Sequence, residues 1–390
     1  MPDRREAESL PYIYLLVILI SETFALRAST NMQYTTVPLV ASEVYYMGMT
    51  TVGAIYAVNS LATSITTLFI NSKLRSSTRR VVFILSSFMY ALSFPFITIS
   101  GEIGLWIFSA LTGVLLGLIS TNIVNAAGII GRTPREREKG IAVYTVSLSA
   151  SLVAGPLVES FILSYVSLPV SFGYFAIFPA TSAVLSLFLP FPEENTATKS
   201  TNAGVFKPFR KIGFRTAVYN NAMYSIPFAG IVVFGGLYSI NYLNVSNSSA
   251  ELYFAIFFAV SFASRLYFSI KPPQDLKAAS LLSAISTFIG LILMVAIISP
   301  WSYALAICLL GLPHGLTYPI SLLYIFRTSE EHERNSMNSI FSSLMVGLNI
   351  IVPLVMGSVS ETVGLRNTFG MLLIPVSVLA YLLIRNIRKQ

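Results

Sequence analysis

Cysteine is nearly absent. The chain holds 1 Cys among 390 residues, Cys308, within an apolar run, which excludes an internal disulfide and every multi-cysteine metal site. Histidine is scarce as well, with 2 in the chain. His314 and His332 lie on different segments without cysteine company, so no metal centre is expected. Charge is the third shortage. Only 11% of the residues are charged, against 54% hydrophobic, where an ordinary globular domain carries roughly 25% charged residues. With a mean hydropathy of +0.72, the apolar segments exceed what a core can bury, and a water-soluble fold is excluded. Two motif classes are missing too. There is no G-x-x-x-x-G-K-[ST] phosphate loop and no polar segment long enough for a nucleotide-binding domain. No nucleophile-elbow pattern of an acyl-transfer enzyme occurs. The expectation is a protein that is not an enzyme, binds no cofactor and, if it works against a gradient, draws on another gradient.

Apolar stretches of spanning length fill the chain instead. They run at about 11–38, 47–70, 80–100, 103–129, 141–166, 170–190, 214–240, 250–270, 278–299, 301–326, 337–359 and 368–386. A span needs about 20 apolar residues, so twelve spans leave little room for anything else. The reading is an all-α, polytopic membrane protein. Residues 1–190 and 214–390 form two six-helix bundles, joined by a polar connection at 191–213 that contains Pro192, Glu193, Glu194 and a Thr/Ser/Asn-rich middle. The first run follows Arg4 and Arg5 as a signal peptide would, but Glu22 and Arg27 interrupt it and no small-residue cleavage site follows. It reads as a retained span.

A net charge of +8 would suggest nucleic acid in a soluble protein. Here the bases report orientation. Of the 25 Lys and Arg side chains, 23 fall on one set of alternate connections, Arg265 being grouped with Lys271 and Lys277, and only Arg27 and Arg366 fall elsewhere. The opposite connections carry Glu43, Glu102, Glu251 and Glu361. The positive-inside rule then places both termini in the cytoplasm, and no nucleic-acid partner is expected. The expected location is the plasma membrane. Asn244-Val-Ser246 and Asn247-Ser-Ser249 match the N-glycosylation pattern in an outward loop; either they are acceptors or they are ordinary polar loop residues.

The two halves repeat. Pro156-Leu157-Val158 recurs as Pro353-Leu354-Val355, and Glu136-Arg137 recurs as Glu333-Arg334, both at an offset of 197. Gly113-x-x-x-Gly117-Leu118 recurs as Gly311-x-x-x-Gly315-Leu316 at 198. Each half starts on the same side with six spans, so the repeats are parallel. These residues resemble the major facilitator superfamily over essentially the whole chain. The loop Pro134-Arg135-Glu136-Arg137-Glu138-Lys139-Gly140, followed by Gly155-Pro156 in span five, is similar to that family's connection between spans four and five and its antiporter motif. Ala142, Ser151, Glu159 and Ser160 stand at the motif's other glycine positions. The loop after span two keeps only the basic residues of a second hallmark, at Arg75, Arg79 and Arg80. Gly311-Leu-Pro-His-Gly-Leu-Thr-Tyr-Pro319 is also similar to family members. The resemblance implies a monomeric transporter in which spans one, four, seven and ten line a central cavity.

Ionisable groups in hydrocarbon are the informative ones, since each costs roughly 2.5–3.5 kcal/mol to insert at mid-span. Glu22 lies about 11 residues, or ~16 Å, into span one. A carboxyl group so costly to keep charged is a candidate proton carrier, or a permanently paired structural group. Arg27 stays charged; it anchors an anionic substrate, modulates Glu22, or ties spans together. Asn31 and Tyr34 continue its helical face, whereas Glu22 is about 140° away, a poor geometry for an intrahelical pair. His314 in span ten and Glu159 in span five are further proton-coupling candidates. His314 also reads as a substrate ligand or a structural histidine, and Glu159 as a group reaching the outer interface. On the spans that the resemblance assigns to the cavity, Asn122, Asn125, Asn220 and Asn221 join Arg27, Asn31, Tyr34 and His314 as substrate-binding candidates. Each of these amides could equally glue helices together.

Gly155-Pro156 and the near-minimal length are similar to drug-proton exchangers, and that resemblance implies the preferred expectation, proton-coupled export of a small amphipathic organic solute by alternating access, with protons and the lipid bilayer as its other partners. The alternatives are a proton symporter or uniporter taking up a sugar, organic acid or similar metabolite, a membrane-embedded transferase, and a non-transporting sensor.

Overall fold

The computed structural model describes residues 12–74, 76–131, 133–189, 207–271, 273, 275–296 and 299–389. Among them are twelve helices long and apolar enough to cross a membrane. They are α1 (Tyr12–Val44), α2 (Met49–Ile70), α3 (Thr78–Ile99), α4 (Glu102–Gly128), α5 (Arg135–Leu163), α6 (Leu168–Ser186), α7 (Ile212–Leu243), α8 (Asn247–Ile270), α9 (Leu276–Ala296), α10 (Pro300–Thr328), α11 (Ser336–Val363) and α12 (Leu365–Ile387). Number and order agree with the apolar runs, and no strand occurs among the described residues. Arg4, Arg5, Arg75, Arg132 and Lys199, read above as orientation signals, lie outside the described residues.

Helix ends differ from the hydropathy reading for local reasons. Helix α1 runs past its apolar stretch with Pro38 inside it, and Val40–Val44 winds on as one π turn. Tyr46, in the left-handed region at φ 54°, then stops it. The helix containing α5 begins at Pro134, well before the apolar run, because Thr133 and Glu136 form a capping box. The Glu136 N–H donates to Thr133 Oγ1 at 3.2 Å, and the Thr133 N–H donates to Glu136 Oε2 at 3.1 Å. Gly131, at φ 133°, makes the turn just before. The helix containing α11 begins in the same way, with Glu330 and Glu333 as its capping box. The repeated Glu-Arg pair is therefore the third position of a helix in both halves, where a glutamate satisfies amides that have no intrahelical partner. The glycosylation-like residues punctuate helices too. Asn244 closes α7 with φ 54°, and Ser246 caps α8 by accepting from the Ser249 N–H at 3.2 Å. Arg265 lies inside α8, five residues before its end, rather than in the connection that follows.

The chain divides into two compact units, residues 1–47 with 55–197, and residues 48–54 with 198–390. Of the connection expected at 191–213, residues 191–206 lie outside the described residues. Lys207–Arg210 forms a 3-10 turn, and Lys211 makes an ion pair with Glu333.

In the first unit, α1 packs along α5 and α6, and α3 packs along α4 and α6. Tyr90, Phe94, Phe108 and Phe172 build a buried aromatic cluster with centroid spacings of 5.2–5.8 Å. Helix α4 presses its glycines onto the backbone of α2. A Cβ at Gly113 would sit 2.5 Å from the Asn59 carbonyl oxygen, and one at Gly117 would sit 2.7 Å from that of Thr63. In the second unit, α10 packs on α7, α8 and α9. There a Cβ at Gly311 would sit 2.5 Å from the Phe257 carbonyl oxygen, and Gly315 abuts the Ser261 carbonyl. Asn59 and Phe257, like Thr63 and Ser261, stand 198 apart, the same offset as the glycines. The repeat is thus one helix-packing device used twice, small residues letting backbones approach closely where lipid supplies no hydrophobic drive.

Candidate functional site

In the first unit the polar residues of α1 divide among different neighbours. Glu22 is fully buried, and its Oε1 accepts from Ser182 Oγ on α6 at 2.9 Å. Its Oε2 is buried with no hydrogen-bond partner. Phe24 and Phe178 pack beside this contact at 6.3 Å. A cleft of about 350 Å³ lined by Ser21, Phe24, Ala25, Phe178 and Thr181 flanks it. Arg27 points to α5 instead, donating from Nη2 to Tyr144 Oη at 3.1 Å. Among the described residues that is its one hydrogen bond, and it is half-buried. Glu22 and Arg27 form no ion pair, as their angular separation on the helix predicts.

Asn31 and Tyr34 carry on the Arg27 face. Asn31 is 5% exposed, and its Nδ2 is buried without a hydrogen-bond partner. The ring of Tyr34 meets that of Tyr56 on α2 edge-on at 5.3 Å. The Arg27 guanidinium lies within electrostatic reach of the Tyr34 and Tyr90 hydroxyls. Arg27, Asn31 and Tyr34 are thus brought together as one stripe, and Tyr56 and Tyr144 complete its surroundings.

The other face of α1 carries a network that residue type alone did not single out. Gln33 Nε2 donates to Thr112 Oγ1 on α4 at 2.5 Å, and Tyr90 Oη on α3 donates to Gln33 Oε1 at 3.3 Å. Asn59 on α2 donates to Thr112 Oγ1 at 3.1 Å and to the Ser109 carbonyl at 2.9 Å. Four helices are tied through Gln33 and Thr112. The available signal was Gln33 itself, an uncharged amide deep in an apolar run whose donors and acceptor all require partners in hydrocarbon.

The remaining candidates of this unit sit apart from the stripe. Glu159 does not reach the outer interface: it is fully buried, and Thr36 on α1 donates to its Oε1. Asn122 faces the end of α2, donating to Asn71 Oδ1 at 3.0 Å. Asn125 is half-buried. Gly155 lets α5 approach α1, a Cβ there falling 3.3 Å from Ala28 Cα, and Pro156 follows inside the helix.

The second unit sets His314 in an aromatic surround. Its ring stacks on Phe228 at 4.3 Å and lies 5.3 Å from Phe257 and 5.7 Å from both Phe258 and Tyr224. Arg265 on α8 is within electrostatic reach of His314 and Tyr224. Asn220 joins α7 to α10, donating to the Thr317 carbonyl at 3.1 Å and to Ser321 Oγ at 2.9 Å. Asn221 donates within its own helix to Ser225 Oγ at 3.0 Å. Asn220 and Asn122 thus donate to neighbouring elements, each keeping a buried Oδ1 with no hydrogen-bond partner, while His314 is surrounded by rings. Among the described residues no cluster of His, Cys, Asp and Glu could hold a metal ion.

Comparison with known proteins places this architecture. The chain is similar in fold to a bacterial homolog of the human lysosomal transporter Spinster in an inward-facing, unoccupied conformation, with TM-score 0.72 and 14% identity over 97% of each chain. It is similar to the nucleoside transporter NupG, with TM-score 0.69 and 15% identity over 95% of this chain and 99% of that one. It is also similar to the peptide transporter POT in complex with sulfate, with TM-score 0.75 and 12% identity over 100% of this chain and 99% of the other. No curated protein matches the sequence. The model of one family, the Major Facilitator Superfamily, matches residues 20–353. Twelve apolar helices in a transporter fold, with a family match over most of its length, make this chain a multi-pass membrane protein that belongs to the Major Facilitator Superfamily.

Proposed function

We propose that the protein is a secondary active transporter that exports a small amphipathic organic solute in exchange for protons, by alternating access. The observation that carries this reading is Glu22: a carboxyl group fully buried on α1, served by one hydroxyl, with its second oxygen lacking any partner. An acid that gains or loses a proton there changes the local charge by one unit where charge is expensive. Such a group biases a two-state cycle by as much as its protonation differs between the states. In this reading, protonation of Glu22 eases the return of the empty carrier, and solute favours the deprotonated form. Glu159, held to Thr36, and His314, held among rings, are secondary proton-coupling candidates. The stripe of Arg27, Asn31 and Tyr34 is the solute-binding part of the first unit. The protein works as a monomer in the plasma membrane with both termini in the cytoplasm.

The test is flux in vesicles containing the purified full-length chain, using a panel of labelled amphipathic solutes of each charge class and a proton gradient imposed in either direction. At least one solute should accumulate according to the gradient in the wild type, the sign distinguishing exchange from symport. Glu22→Gln should retain solute counterflow and lose the response to the gradient. Unchanged gradient response in Glu22→Gln removes the proposed role of this residue.

A further inference from the structure

We infer that the transported solute carries a carboxylate, and that Arg27 and Asn31 are the groups that hold it. The inference rests on the transporter reading above and narrows its substrate class. Arg27 is a permanent cation half-way along an apolar helix, and burying an uncompensated charge is among the costliest things a protein does. The nearest acid in sequence is not its counter-charge, because Glu22 turns to Ser182 on α6. Arg27 instead meets a neutral phenol, Tyr144, through one of its N–H groups. A guanidinium has five N–H donors in a planar fork shaped for two carboxylate oxygens. Among the described residues no other hydrogen bond uses the rest of that fork.

One turn along, the Nδ2 of Asn31 is a second donor, buried and unpartnered in a residue that is 95% out of contact with solvent. Buried amide donors are ordinarily satisfied. An anionic oxygen lying across one helical turn would satisfy both Arg27 and Asn31. Among the described residues no carboxylate is placed to do so, which distinguishes the pair from a structural knot such as Gln33 with Thr112. The next residue on the face, Tyr34, with Tyr56 edge-on to it, presents aromatic surface beyond the donors. From Arg27 to Tyr34 the stripe is about 10 Å long at 1.5 Å per residue. That length suits an acid whose carboxylate meets Arg27 and Asn31 while an apolar or aromatic body reaches the tyrosines.

The probes are three aromatic acids, benzoate, phenylacetate and 1-naphthoate, each paired with its neutral primary amide. The readout is the thermal midpoint of the purified full-length chain in detergent, with sulfate at equal ionic strength as the salt control. At least one acid should raise the midpoint saturably while its amide does not. Asn31→Ala should weaken the apparent affinity for that acid about tenfold, and Arg27→Met should abolish the shift. Arg27→Lys keeps the charge but loses the fork, so it should retain a shift at higher concentration; it carries the test if Arg27→Met does not unfold cooperatively. Glu22→Gln should keep the preference for acid over amide. No shift with any acid, equal shifts with acid and amide, an acid preference that survives Arg27→Met, or an apparent affinity unchanged in Arg27→Lys overturns the inference. Acid-specific binding together with flux indifferent to a proton gradient would leave this site standing and remove proton coupling instead.

Discussion

Replacing Gly113 by alanine tests the packing device on which both units depend. The added Cβ would lie 2.5 Å from the Asn59 carbonyl oxygen and 2.9 Å from Ala62 Cβ. Cβ contacts in real structures are essentially never below 3.0 Å and are ordinary from 3.4 Å. Helix α4 must therefore withdraw from α2 by roughly 0.5–0.9 Å, because backbone, unlike a long side chain, cannot swing aside. A gap of that size forfeits a quarter to a half of each dispersion contact along the seam. It also stretches the bond from Thr63 Oγ1 to the Gly113 carbonyl, now 3.0 Å. Overpacking of this kind costs about 1–3 kcal/mol. Gly128, in the same helix, has nothing within 4 Å of its would-be Cβ, so Gly128→Ala shares the gain in helix propensity and lacks the clash. The difference between the two variants isolates the clash. At about 2–4 °C per kcal/mol for a unit of this size, it amounts to about 2–12 °C. Purified variants scanned at one heating rate in one detergent provide the measurement, with Gly311→Ala as the counterpart in the second unit. Equal midpoints for Gly113→Ala and Gly128→Ala would refute the close-approach account.

Three further outcomes follow from the same contacts. Asn59→Leu removes two inter-helix hydrogen bonds, and at about 0.6 kcal/mol each in membranes, with ~1.7 as the upper end, it should destabilise the protein by roughly 1–2 kcal/mol in denaturant titration; a neutral result would mean the network is redundant. Thr133→Ala removes an N-cap and should cost about 0.5–2 kcal/mol, seen as faster amide exchange confined to the start of α5, whereas uniform exchange across α5 would count against the capping assignment. Ser182→Ala takes away the one hydroxyl serving Glu22, so the pH at which gradient-driven flux is half-maximal should move while counterflow at saturating solute stays the same. A pH profile identical to wild type would disconnect Glu22 from coupling.

The candidate site was legible in part. Glu22, Arg27 and Asn31 announced themselves because charged or amide groups in an apolar run are expensive, and helical spacing alone put Arg27, Asn31 and Tyr34 on one face. The partners were not legible. Periodicity says which residues share a face of a helix but not which neighbour that face meets. Glu22 on α6, Arg27 on Tyr144 and Glu159 on Thr36 thus waited for the packing. Thr112 and Tyr90 are not legible, because Thr and Tyr are common in membrane helices and betray a network only once brought together with Gln33. Asn122 and Asn220, candidates for solute contact, spend their amide N–H groups on neighbouring elements and keep a buried oxygen without a partner, a division that no spacing within one helix reveals.

By itself, the sequence determined the number and order of the spans, because hydrocarbon thickness demands about 20 apolar residues per crossing and forbids unpaired backbone. It also determined the repeat, because the same local devices recur at offsets of 197 and 198: a glutamate that caps a helix and glycines that admit a carbonyl. Only the tertiary structure decided which polar side chains are spent on one another and which are left with unused donors. That is a matter of distances between helices far apart in sequence, and no periodicity within a single helix contains it.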